Sequence, residues 1–136
     1  MFVRMKHTTM KFHFRTWAAY RKAFTLSNRI DEITATFPPK EKYRLTDQIC
    51  RSASSVCANL AESFAKRRYP KHFIAKITDA YGENCETQMW LDKALCRGYI
   101  TKELYQQLDE NANEVGRLLH WMEYHPKHFA VKTKTE

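Results

Sequence analysis

Apolar side chains recur every three or four residues along most of this chain, and a few prolines and one glycine interrupt the rhythm. A repeat near 3.6 lines such residues along one face of a helix, so the sequence predicts long amphipathic helices. Tight hairpins lean on glycine and proline, and with 3 glycines and 4 prolines in 136 residues an all-β fold is disfavoured.

Four helices follow from the spacing. The first is predicted over 15–36, with Tyr20, Ala23, Leu26, Ile30 and Ile33 on its apolar face. Phe37-Pro38-Pro39 stops it, because proline lacks the N–H that a helix interior needs. The second spans 40–67 and carries Leu45, Ile49, Ala53, Val56, Leu60 and Phe64. Ser52, Ser54, Ser55, Ala58 and Ala61 give it a small-residue middle that a neighbouring helix can approach closely. Tyr69-Pro70 marks the next break. The third helix, 71–97, buries Phe73, Ile77, Ala80, Asn84, Leu91 and Leu95, and Gly98 suits its end. Thr101 is the N-cap of the fourth, 102–124, which carries Leu104, Leu108, Ala112, Val115, Leu119 and Met122 before Pro126. Short links favour antiparallel neighbours. The predicted fold is therefore all-α, an antiparallel up-down-up-down four-helix bundle over 15–124, with a basic arm at 1–14 and a flexible Lys-rich tail at 125–136.

Hydrophobic residues make up 43% of the chain, too many for disorder. No run of about 18 apolar residues predicts a membrane-spanning helix. The basic start lacks the apolar stretch of a secretory signal. Cys50, Cys57, Cys85 and Cys96 form no C-x-x-C pair and read as reduced thiols of a cytoplasmic protein, with a zinc site as the sharper but weaker reading.

Net charge is +8, unevenly spread. Residues 1–78 hold 16 Lys and Arg against 5 acids, whereas residues 79–123 hold 4 against 9. The densest basic cluster is Lys66, Arg67, Arg68, Lys71, His72 and Lys76, with no acid from Ser63 to Thr78. Cations in such a cluster can neutralise phosphates and release counterions, and Tyr69 among them can stack on a base. A second set, Arg4, Lys6, Lys11, Arg15, Arg21 and Lys22, precedes the first acid at Asp31. In an up-down bundle the two sets share one end, so they predict a single nucleic-acid-binding patch. The competing reading is a solvated, charged bundle end.

Arg51, Asn59, Glu62 and Glu86 are predicted to form a polar network that fixes helix register. A catalytic pairing of Glu62 with Glu86 is the weaker alternative, as Glu83 and Glu86 have no histidine in step to make a Glu-x-x-His metal motif. His120, His125 and His128 do not match H-E-x-x-H, and no glycine-rich phosphate loop or G-x-S-x-G elbow occurs. No metal, cofactor or catalytic residue is expected. Trp90 falls off the main stripe of its helix and is assigned to an interface.

The stretch from Phe37 through Pro38, Glu41, Tyr43, Leu45 and Gln48, continuing through Arg51, Ala53, Ser55, Val56 and Asn59-Leu60-Ala61-Glu62, resembles a family pattern. It is similar to the four-helix proteins encoded in intervening sequences of large-subunit ribosomal RNA genes. That family is related to the accessory variability determinant proteins of diversity-generating retroelements. The likeness covers about residues 20–122, with Phe73, Ala80, Gly82, Glu86, Leu91, Ala94, Gly98 and Tyr99 in step. Ser63 and Ala65 stand where the pattern has glycines, which makes this helix end stiffer. The resemblance implies a four-helix bundle assembled as a homopentameric ring. Its retroelement branch implies nucleic-acid binding and a reverse transcriptase partner. A structural adaptor acting through protein contacts alone is the alternative function.

Overall fold

The computed structural model describes residues 13–131. Four long helices account for most of them: α1 (Ala18–Thr34), α2 (Asp47–Ala65), α3 (Pro70–Cys96) and α4 (Lys102–Tyr124). A short helix, α5 (Pro126–Phe129), follows, and no strand occurs among the described residues. Each long helix packs on the next, and α4 closes the ring against α1. Cross-helix bonds fix the directions. Lys22 reaches Glu114 and Arg29 reaches Gln107, so α1 and α4 run antiparallel. Ser52 meets Thr87 while Lys76 meets Glu62, so α2 and α3 do too.

The predicted stripes become the core, in two layers. One holds Ala19, Ala23, Val56, Leu60, Phe73, Ile77, Val115 and Leu119; the other holds Leu26, Ile30, Leu45, Ile49, Leu91, Ala94 and Leu108. A polar waist separates them. Buried Ser52 and Thr87 share a hydroxyl bond of 2.8 Å between α2 and α3, and buried Asn84 donates to the Ala112 carbonyl at 2.8 Å between α3 and α4. Buried polar groups demand partners, so these bonds penalise any slip along the bundle.

Helix boundaries differ from the spacing where local geometry intervenes. The second helix does not start at residue 40. Pro38 and Pro39 offer no N–H, so the chain first winds a 3₁₀ turn (Pro39–Glu41) and a π turn (Lys42–Thr46), with Arg44 off helical geometry at φ −122° and ψ −110°. This entry turns Glu41 inward. Glu41 is 3% exposed, and its carboxylate accepts from Arg97 Nη1 at 3.1 Å and from Tyr99 Oη at 2.8 Å. Phe37 lies against the Tyr99 ring at 5.3 Å. Gly98, at φ +75°, ends α3 in the left-handed conformation, with Gly98 N donating to Leu95 O and Tyr99 N to Ala94 O. That turn aims Tyr99 back at the α1–α2 link. Thr101 caps α4 as predicted, accepting from Leu104 N at 3.1 Å.

The tail departs from expectation. Residues 125–131 are not a loose extension, because Phe129 packs on Trp17, Phe73 and Trp121. The arm is likewise partly folded: Phe14–Thr16 forms a 3₁₀ turn against the bundle, while 1–12 and 132–136 lie outside the described residues.

Burial also sorts the thiols. Cys85 and Cys96 are exposed; burial pushes Cys57 up to about 12 and raises Cys50 as well. Only a thiolate attacks an alkylating agent. At about pH 8, iodoacetamide should modify Cys85 and Cys96 first, with Cys57 lagging by more than about a hundredfold in peptide-mapped mass spectra.

Candidate nucleic-acid interface

Antiparallel packing gathers the start of α1, the end of α2, the start of α3 and the end of α4 at one end of the bundle. Arg15 and Arg21 of the second basic set therefore meet the first, while Arg4, Lys6 and Lys11 lie outside the described residues. His13 is the meeting point. Its ring lies 4.9 Å from Phe64, accepts from Arg15 N at 3.3 Å, and feels both Arg15 and Arg67 electrostatically. Arg21 Nε donates to the Arg15 carbonyl at 3.0 Å, which ties α1 to the same corner.

The sequence-predicted cations behave in three ways. Arg67 is anchored: its guanidinium lies 3.7 Å over the Phe64 ring, and Nε donates to the Phe64 carbonyl at 2.8 Å. Burial lowers its pKa from the ordinary value, with its charge retained. Lys76 and Lys22 are compensated, pairing with Glu62 at 2.7 Å and Glu114 at 2.8 Å. Lys66, Arg68 and Lys71 are exposed and carry no ion pair among the described residues. Lys71 and His72 stand in the first turn of α3, where unpaired N–H groups add partial positive charge. Tyr69 is 56% exposed, and its ring meets His72 edge-on at 5.9 Å.

Beneath the cations lies a layer of rings. Trp17 touches Phe64, Phe73 and Phe129, and Phe129 touches Trp121, each centroid separation being under 6.5 Å. Sequence spacing missed this layer, because its members come from five separate segments. Every histidine among the described residues (His13, His72, His120, His125 and His128) falls at this same end. Spacing alone had tested three of them only as metal ligands.

The predicted polar network is divided by the fold. Arg51 does bond Glu86, and Glu83 as well at 3.3 Å. Asn59 turns instead to the Ser55 carbonyl at 2.9 Å, and Glu62 is held by Lys76. The reason is location: this strip of α2 faces solvent, and the bundle's buried register is kept by the Ser52–Thr87 and Asn84–Ala112 bonds. Glu62 and Glu86 thus serve different cations and do not form an acid pair. Among the described residues no group of three His, Cys, Asp or Glu gathers to hold a metal, and no helix is long and apolar enough to cross a membrane. Trp90 packs partly buried against the Leu45–Leu91 core layer, its Nε1 buried without a hydrogen-bond partner among the described residues. Ser63 is fully buried and donates to the Leu60 carbonyl at 2.7 Å within the last turns of α2.

Burial, Arg15 and Arg67 together hold the His13 pKa below its ordinary 6.5. The folded corner thus favours the neutral ring, and the unfolded segment binds the proton more tightly. Stability is complete above pH 6.5 and falls as acid charges the ring. Hydrogen exchange at Thr16 and Trp17, whose N–H groups bond His13 O and Phe14 O, should gain speed between neutral pH and about pH 5, after correction for intrinsic rates.

Comparison with known proteins agrees with this architecture. No curated protein matches the chain. A crystal structure of a protein of unknown function from the S23 ribosomal protein family, from Bacteroides thetaiotaomicron, superposes with a TM-score of 0.70 at 26% identity, over 78% of this chain and 95% of that one. The 23S rRNA-intervening sequence proteins match residues 15–121, which take in all four long helices except the last turn of α4. The chain belongs to the 23S rRNA-intervening sequence protein family.

Proposed function

We propose that this chain is a non-enzymatic accessory protein that binds RNA or DNA through the basic end of its bundle. One observation carries the reading: Lys66, Arg68 and Lys71 stand exposed and uncompensated among the described residues, beside the anchored Arg67. A surface that holds like charges together in this way is suited to a polyanion, whose released counterions supply the affinity. Binding is expected to be salt-sensitive and largely tolerant of sequence. Fluorescence anisotropy with a labelled RNA across a salt series tests it. Absence of binding at about 50 mM salt, where electrostatic association is strongest, would reject it.

The same reading includes a reverse transcriptase as protein partner and assembly into a homopentamer, both drawn from the family likeness. In support of assembly, α3 presents Tyr81, Cys85 and Met89 outward, four residues apart and uncharged. Exposed apolar side chains in a row favour a protein contact. Light scattering should return five times the 16.2 kDa chain mass. A monomer mass together with intact RNA binding would remove the ring and keep the interface. The adaptor reading, with protein partners alone, draws on the same α3 face and predicts partner capture that is indifferent to charge reversal at Lys66, Arg68 and Lys71.

A further inference from the structure

Large apolar side chains that stay exposed are few among the described residues, and three of them crowd the basic end: Tyr69 at 56%, Trp121 at 43% and Tyr124 at 66% exposure. Charge alone does not explain them. A surface made only to hold the phosphates of a duplex has no use for open rings, and an exposed tryptophan is a standing cost in water. The rings are also held in place. His125 stacks on Trp121 at 4.2 Å and 12°, and its Nδ1 lies 2.7 Å from the Trp121 carbonyl. His128 and Phe129 meet the same indole edge-on, at 5.1 and 5.9 Å. Trp121 is thus braced on several sides and still offers ring surface to solvent. Tyr124 rests on His120 at 4.7 Å. The path between the two chemistries is short: Trp121 contacts Phe129, Phe129 contacts Trp17, Trp17 contacts Phe64, and Arg67 covers Phe64.

We propose that this end is a platform for single-stranded nucleic acid, on which unpaired bases stack against Trp121, Tyr124 and Tyr69 while Lys66, Arg68, Lys71 and Lys127 take the phosphates. The proposal rests on the nucleic-acid reading and narrows it to a substrate class. Unpaired bases expose the π-faces that such rings bind, whatever the sequence; in a duplex those faces are buried in the stack. Either sugar satisfies this chemistry.

The test uses the full chain, an unstructured RNA of about 12 nucleotides, the DNA of the same sequence, and the duplex of each, a length within known single-strand site sizes. Both single strands should bind at least about tenfold more tightly than either duplex. Tyr124→Ala and Trp121→Ala should each lose roughly tenfold in affinity without changing the salt slope, and Tyr124→Phe, which keeps the ring, should bind like the parent. Trp121 also braces Phe129, so its variant is read only alongside Tyr124→Ala, whose ring meets that of His120 alone among the described residues. Equal affinity for duplex, or undiminished binding by Tyr124→Ala, would overturn the platform and leave a purely electrostatic interface. No binding of any strand at about 50 mM salt would overturn the nucleic-acid reading along with it.

Discussion

Replacing Glu41 by alanine is expected to lower the unfolding free energy by about 3 kcal/mol and the melting temperature by roughly 10 °C. The carboxylate is buried at the far end of the bundle from the basic patch and receives Arg97 and Tyr99 from across the fold. Breaking a buried pair costs more than the pair was worth, because its partners are left without an acceptor. The Arg97 side chain is 41% exposed and Tyr99 is half-buried, so both can turn to water, and most of the loss falls on the space left by the buried Glu41 side chain. Glu41→Gln keeps the shape and one acceptor, and should cost about half as much. Arg97→Ala should cost less than either. The bond to Glu41 raises the Tyr99 pKa above its ordinary 10.0. The folded state thus favours the protonated phenol; this contribution is complete below pH 10 and fades as the phenol ionises. The gap between the native chain and Glu41→Ala should narrow in strongly alkaline buffer. Urea melts across pH measure all of this, and a Glu41→Ala midpoint equal to that of the native chain would refute it.

This contact gives the family pattern a physical meaning. Its most specific stretch runs from Phe37 to Glu62, and on composition alone it invites a functional reading. In the fold, Phe37, Glu41 and Leu45 face inward, and the partners Arg97 and Tyr99 of Glu41 and Phe37 come from the end of α3. The first part of the pattern, Phe37 to Leu45, closes one end of the bundle, and the rest runs along α2. The cations proposed to bind nucleic acid lie at the opposite end.

What the sequence made legible follows the same division. Helix number, direction and core faces were readable because period and proline breaks are local signals. Of the six stripe positions named for the second helix, five are buried and Phe64 is half-buried beneath Arg67. The entry turns before α2 were hidden, since two prolines announce a break without saying how the chain rewinds. The polar network was legible only in its Arg51–Glu86 pair, for a related reason. Periodicity places Arg51 and Glu62 beside the core face but does not say which side of that face meets solvent. The aromatic layer and the docked α5 were invisible, because contacts among Trp17, Phe64, Phe73, Trp121 and Phe129 exist only once the ends are brought together. The approach of Arg15 to the Lys66–Lys71 cluster at one end was readable, since it needed only an antiparallel order and two charge runs.

Reversing Lys66, Arg68 and Lys71 together to glutamate is expected to weaken RNA binding by about a hundredfold or more at 50 mM salt and to flatten the salt dependence by about two units of slope. Each cation in contact with a single-strand phosphate contributes roughly 0.7 to that slope, so three lost contacts account for the flattening, and the new carboxylates add repulsion. Arg67 is left intact on purpose. Its stacking on Phe64 and its bond to the Phe64 carbonyl make it part of the corner's structure, and its loss would confuse binding with folding. The three chosen side chains carry no ion pair among the described residues, so the variant should melt within a few degrees of the native chain. Lys22→Glu is the matched control: Lys22 already pairs with Glu114 across α1 and α4, and should change affinity less than about threefold. A triple variant that keeps its affinity and its slope would mean that phosphates do not visit this end of the bundle.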